Sequence, residues 1–161
     1  MVGIKEMRIY RALKISPLHT RRYMLDEDFT VNSLTIPNGF VTNGANIPRV
    51  LYPVLPPNDP IVLPAVVVHD YLCDVVKYAF NRGASYKDAL NAFKQADDDF
   101  NDALESLSIS NTRRRVYFWG VAIYTALFRR AELFFYRSRN KPLPIYKRNI
   151  SLIKNRLDTT R

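Results

Sequence analysis

At 161 residues, with 47% apolar side chains and only five glycines and ten prolines, the chain is long enough for one globular domain with a real core. It is neither disordered nor collagen-like. A single cysteine, Cys73, excludes an internal disulfide, and the charges from Met1 to Arg8, where a signal peptide needs an apolar segment, mean that secretion by that route is not expected. The net charge of +9 is unevenly placed: seven basic and five acidic residues in 1–60, four and eight in 61–110, thirteen and two in 111–161. A basic final third suits nucleic acid, an anionic lipid surface or an acidic protein neighbour, and equally a plain solvated helix face.

From Lys5 to Val41 apolar residues alternate with polar ones, among them Ile9, Ile15, Tyr23, Leu25, Phe29, Val31, Leu34 and Ile36. That alternation, broken by turn formers, is the pattern of strands. Ser16-Pro17, Asp26-Glu27-Asp28 and Pro37-Asn38-Gly39 mark the turns, the last as a type II or hairpin signal. The prediction is a small antiparallel sheet of three to five strands, with His19 a surface residue. Gly39 to Arg49 then places two glycines, two asparagines and a threonine within eight residues. Such a loop, Asn43 and Gly44 included, can present backbone groups to an ion or ligand, or it is an ordinary tight turn before a short helix near 48–52.

Pro53 to Pro64 stops what precedes, and proline is favoured at a helix start. The apolar run Val62 to Phe80 predicts a helix ending at Asn81-Arg82-Gly83, and it carries His69 and Asp70 side by side. Both are costly there unless hydrogen-bonded or bound to something. Ser85-Tyr86-Lys87-Asp88 reads as a capping box for a second helix to about Leu107. Its core stripe includes Ala89, Phe93, Ala96, Phe100, Ala103 and Leu104. Asp97, four residues after Phe93 and three before Phe100, shares that face, so it is expected inward, with Asp98 and Asp99 outward. In an antiparallel helix pair its partner is His69.

A third helix runs from Ser110 to about Arg137. Its apolar stretch, Val116 to Phe128, is too short to span a bilayer and is expected to be buried, with Val116, Trp119, Ile123, Leu127 and Phe134 on one side and Tyr117, Tyr124 and Phe128 on another. After Pro142 and Pro144 comes a short basic amphipathic segment, Ile145 to Leu157. The predicted organisation is α+β: one globular domain over 1–140, holding the sheet and three main helices of which the first two are an antiparallel pair, and a basic C-terminal arm over 141–161 that docks on a partner.

Three residues carry candidate chemistry. An imidazole held by a carboxylate, His69 by Asp97, has its tautomer fixed so that the other nitrogen can deprotonate water or an alcohol. Asp70, about 100° further round the helix, points elsewhere and suits a hard cation such as calcium together with the Asn43 and Gly44 loop. Zinc fits less well, since His19 is the only other histidine. Equally, His69 and Asp97 can be a buried polar pair that pins two helices without chemistry.

Phe40-Val-Thr-Asn-Gly-Ala-Asn-Ile-Pro-Arg49, Ala65-Val-Val-Val-His-Asp-Tyr-Leu72 and Ala96-Asp-Asp-Asp-Phe100 together resemble an uncharacterised family common in tailed-phage genomes. That family's pattern is Gly-Phe-x-Thr-Asp-Gly-Ala-Ser-Ile-Pro-Arg, then His-Asp-Tyr-Leu-Tyr, then Ala-Asp-x-x-Phe, and this chain departs from it at Asn43, Asn46 and Cys73. The resemblance implies a bacteriophage virion-associated protein, a tail or head-tail component made in the host cytoplasm. It would dock on other virion proteins, within an oligomeric assembly, through its aromatic helix and basic arm. More weakly, the helix pair is similar to that of secreted and parvovirus-capsid phospholipases. That likeness implies a calcium-dependent hydrolase acting on host envelope lipid, in which His69 activates water, Asp70 binds calcium and Asp97 orients the histidine. A nucleic-acid-binding protein is the third expectation, from Arg113-Arg114-Arg115 and the basic tail.

Overall fold

The computed structural model describes residues 13–19, 22–44, 59–107 and 109–159 and has the α+β order expected, strands first and helices after. The side chain of His19, loop residues 45–49 and the short helix expected near 48–52 lie outside the described residues. Five short strands, β1 (Ile15–His19), β2 (Arg22–Leu25), β3 (Phe29–Val31), β4 (Leu34–Ile36) and β5 (Val41–Thr42), form two antiparallel units. In the first, β2 lies between β1 and β5, with Ile15 opposite Leu25 and Met24 opposite Val41. The second is a β3–β4 hairpin turned at Asn32, whose φ of 52° is a left-handed conformation that asparagine tolerates well. Pro37 to Phe40 closes as the expected type II turn, the Phe40 amide donating to the Pro37 carbonyl at 3.2 Å with Gly39 at φ 80°. A Cβ on Gly39 would also meet the Arg148 guanidinium at 2.5 Å, which that flexible side chain could yield to, so it is the positive φ that asks for glycine.

The first helix, α1 (Leu63–Asn81), is the axis of the core, with Ala65, Val67 and Val68 wholly buried and Pro64 in its first turn. It stops in a Schellman turn: Gly83, at φ 104°, and Ala84 donate their amides to the Phe80 and Ala79 carbonyls, each at 3.0 Å. Ser85 then caps α2 (Tyr86–Glu105), its Oγ accepting from the Asp88 amide at 3.1 Å. So short a turn sends α2 back along α1, and Phe93, Ala96, Phe100 and Leu104 fill the seam. Asp97 points inward as expected. Asp99 does not lean outward: it is 3% exposed, and Gln95 Nε2 donates to its Oδ1 at 3.1 Å.

The third helix covers nearly its expected span as α3 (Asn111–Tyr124), a π-helical turn (Thr125–Arg129) and α4 (Arg130–Ser138). Both of its apolar sides were expected to be buried, but only one line is, and Tyr124 and Phe128 of the second side are 47% and 58% exposed. Tyr117, Thr125 and Leu133 are the buried line and pack toward α2, whereas Trp119, Ile123, Leu127 and Phe134 are 51% to 70% exposed. The last helix, α5 (Lys147–Thr159), packs on α1, and its Asn149 bonds Val41 of β5. Residues 141–161 are therefore no free arm over their described part: Leu143, Asn149 and Ile153 are buried in the same core as the strands. No helix among the described residues is long and apolar enough to cross a membrane.

Candidate functional site

His69 on α1 and Asp97 on α2 meet where the two helices cross, and His69 Nε2 lies 2.9 Å from Asp97 Oδ1. Both are nearly closed off, with side chains 14% and 5% exposed. One turn further along α1, Cys73 Sγ is 3.7 Å from the same Nε2, and the Phe100 ring packs against the imidazole at 5.1 Å. Among the described residues, the ring's hydrogen bonds fall on Nε2 and none on Nδ1. Burial alone lowers the histidine's pKa, but the Cys73 sulfur and the hydrogen bond and charge of Asp97 outweigh it and push it up to about 10. The balance at this ring therefore favours its protonated form.

Asp70 faces a different neighbourhood, as its place round the helix requires. Its Oδ2 accepts from the Thr42 hydroxyl, whose oxygen in turn accepts from the Gly44 amide at 3.0 Å. Burial raises the Asp70 pKa, only partly offset by Thr42. Asp70, Asn43 and Gly44 are therefore brought close, but Gly44 turns an N–H toward the cluster and Asp70 already holds a hydroxyl. Among the described residues no three His, Cys, Asp or Glu side chains gather as a metal site.

Beyond Asp70 lies a cavity of about 390 Å³ whose walls include Asp70, Cys73 and Lys77 of α1, Arg129 and Glu132 of the third helix, and Tyr146. His69 is not among its lining residues, so Cys73 is the side chain that touches both the His69–Asp97 pair and the cavity. Arg129, at the end of the π turn, lies over the Phe93 and Tyr124 rings at 4.7 and 5.1 Å and pairs with Glu132 at 2.6 Å. Asp74 bonds Lys77 at 2.8 Å and receives Asn149 Nδ2 at 2.9 Å. Neither Asp74, Arg129 nor Asn149 stood out in the sequence. Asp74, at i+4 from Asp70 in an apolar helix, was the one available signal.

A family comparison matches residues 20–121 to a family described as a protein of unknown function, DUF1353, and the chain belongs to that family. No curated protein and no solved structure matches it. His69, Asp70, Cys73 and Asp97 all fall inside the matched segment, while Arg129, Glu132, Tyr146 and Asn149 lie beyond it. One wall of the cavity thus comes from the family segment and the other from this chain's C-terminal third.

Proposed function

We propose that this protein is a bacteriophage virion-associated component of the tail or head-tail region that works by docking, with the outer face of α3 and α4 covered by a neighbouring virion protein. One observation carries it: Trp119, Ile123, Leu127, Phe128 and Phe134 are 51% to 70% exposed on a helix whose opposite side is already packed. Soluble monomers seldom leave so many large side chains together in water. The particle itself is implied by the resemblance of the Gly39–Arg49, His69–Asp70 and Ala96–Phe100 segments to a tailed-phage family. Mass spectrometry of density-purified particles tests it. The chain should be present at a fixed copy number and lost from particles when Leu127→Asp and Phe134→Asp are combined. A chain absent from particles would remove the reading.

A second reading, the calcium-dependent phospholipase-like hydrolase, is favoured by the Asp97 carboxylate on His69 Nε2, which leaves Nδ1 for water. The raised pKa of His69 favours the protonated ring, which has no lone pair there, and this weighs against it. Calcium-dependent release of fatty acid from phospholipid, abolished by His69→Ala in a chain that still folds, would promote it over the docking role.

A further inference from the structure

The exposed line on the third helix is not purely apolar. Arg115, Trp119, Ile123, Leu127, Arg130, Phe134 and Arg137 follow one another at steps of three or four residues, so they form one ridge, and all are exposed. It spans roughly 33 Å at the helical rise. The other arginines of this helix are already paired: Arg113 with Asp59, Arg114 with Glu105 and Arg129 with Glu132. Arg115, Arg130 and Arg137 make no ion pair among the described residues.

We infer that the surface which covers this ridge is an acidic protein groove, apolar along its floor and carrying carboxylates where Arg115, Arg130 and Arg137 fall. The inference rests on the docking role proposed above. Charge and position choose among the occupants. A second copy laid on the same ridge would set arginine lines against each other, and like charges facing across an interface cost affinity. A bilayer-surface helix keeps its cations on the polar side, whereas Arg130 sits between Leu127 and Phe134, where it would be driven among acyl chains. From 111 to 139 the basic residues are seven arginines and no lysine. Protein interfaces enrich arginine and deplete lysine, because the planar guanidinium meets a carboxylate through two parallel hydrogen bonds.

The test places a benzophenone-bearing amino acid at position 127 of the full chain during infection and identifies the cross-linked peptide by mass spectrometry. The expected result is one segment of another protein containing Asp or Glu. Arg130→Glu, on an exposed site that leaves the melting temperature unchanged, should lower the cross-link yield by roughly tenfold or more, and reversing the facing carboxylate to Lys should restore it. Cross-linking to a second copy, to a segment without carboxylates, or with a yield indifferent to Arg130→Glu would overturn the acidic groove. So would co-sedimentation with phosphatidylglycerol vesicles that Arg130→Glu abolishes. An acidic partner found in cells, with the chain absent from particles, would keep the groove and remove the virion role. A chain present in particles but cross-linked to a non-acidic segment would do the reverse.

Discussion

At the scale of single residues, the His69–Asp97 contact is an ion pair whose worth depends on pH. The folded histidine titrates near 10 against 6.5 unfolded, so its contribution is fully present below about pH 6.5 and is lost as pH rises through about 10. His69→Asn should flatten the fall in unfolding free energy over that window, with its largest cost, on the order of a few kcal/mol, at the acid end. Urea melts of both proteins at pH 6, 8 and 10 check this, and parallel declines would place the pH dependence elsewhere. Asp99 makes stability fall with rising pH in the same direction, over a more acid range and through the cost of its charged form. Burial raises its pKa, so its ionisation costs stability as pH climbs above the unfolded value of 3.8. Asp99→Asn keeps an acceptor for Gln95 and removes the charge. It should raise stability by about 1 kcal/mol at pH 7, with the gain shrinking toward pH 4 in thermal melts.

Two asparagines act at the scale of elements by imitating a neighbouring strand. Asn149 of α5 accepts from the Val41 amide and donates to the Val41 carbonyl, both at 2.9 Å, while the same Nδ2 reaches Asp74. Asn81 at the end of α1 does likewise for Leu143, at 2.7 and 3.1 Å. Together they fasten the C-terminal third to β5 and α1, and Ile153 seals the contact with no exposed surface. Asn149→Ala leaves three buried polar groups unsatisfied and should cost about 2–4 kcal/mol in chemical denaturation, with Ile153→Ala costing a similar amount. A loss under about 0.5 kcal/mol for Asn149→Ala would mean that α5 is not a working part of the fold. This fastening also marks where the sequence was legible. Capping at Ser85, the stop at Gly83 and the inward turn of Asp97 all follow from residues within a helical turn or two of one another, and each is where periodicity put it. Asn149 and Val41 are 108 residues apart, and an asparagine in a basic amphipathic segment reads as surface. Asp99 was misjudged for a related reason, because the helix period gave only its angle and Gln95 supplied the partner that let it be buried.

For the whole molecule, the decisive feature is which side of the third helix the core uses. Sequence pattern showed a helix apolar over much of its circumference, but which of its sides meets α2 is a tertiary outcome that no local signal carries. The result is a chain of net charge +9 with an uncovered aromatic ridge. Two forces then compete when ridges from different molecules approach: burial of Trp119, Leu127 and Phe134 favours contact, and the arginines between them oppose it. The electrostatic part reaches about 10 Å at 0.1 M salt and about 3 Å at 1 M, while the apolar part is not weakened by salt. Light scattering of the purified protein should therefore show a monomer at low ionic strength and growing self-association toward 1 M sodium chloride. Leu127→Ser with Phe134→Ser should abolish the association while leaving the melting temperature within about a degree or two, since these side chains contribute little to the fold. Arg130→Glu should instead move the onset to lower salt, because it removes repulsion without removing the ridge. If wild type and the double serine variant respond to salt alike, the ridge is not the surface through which this molecule meets others.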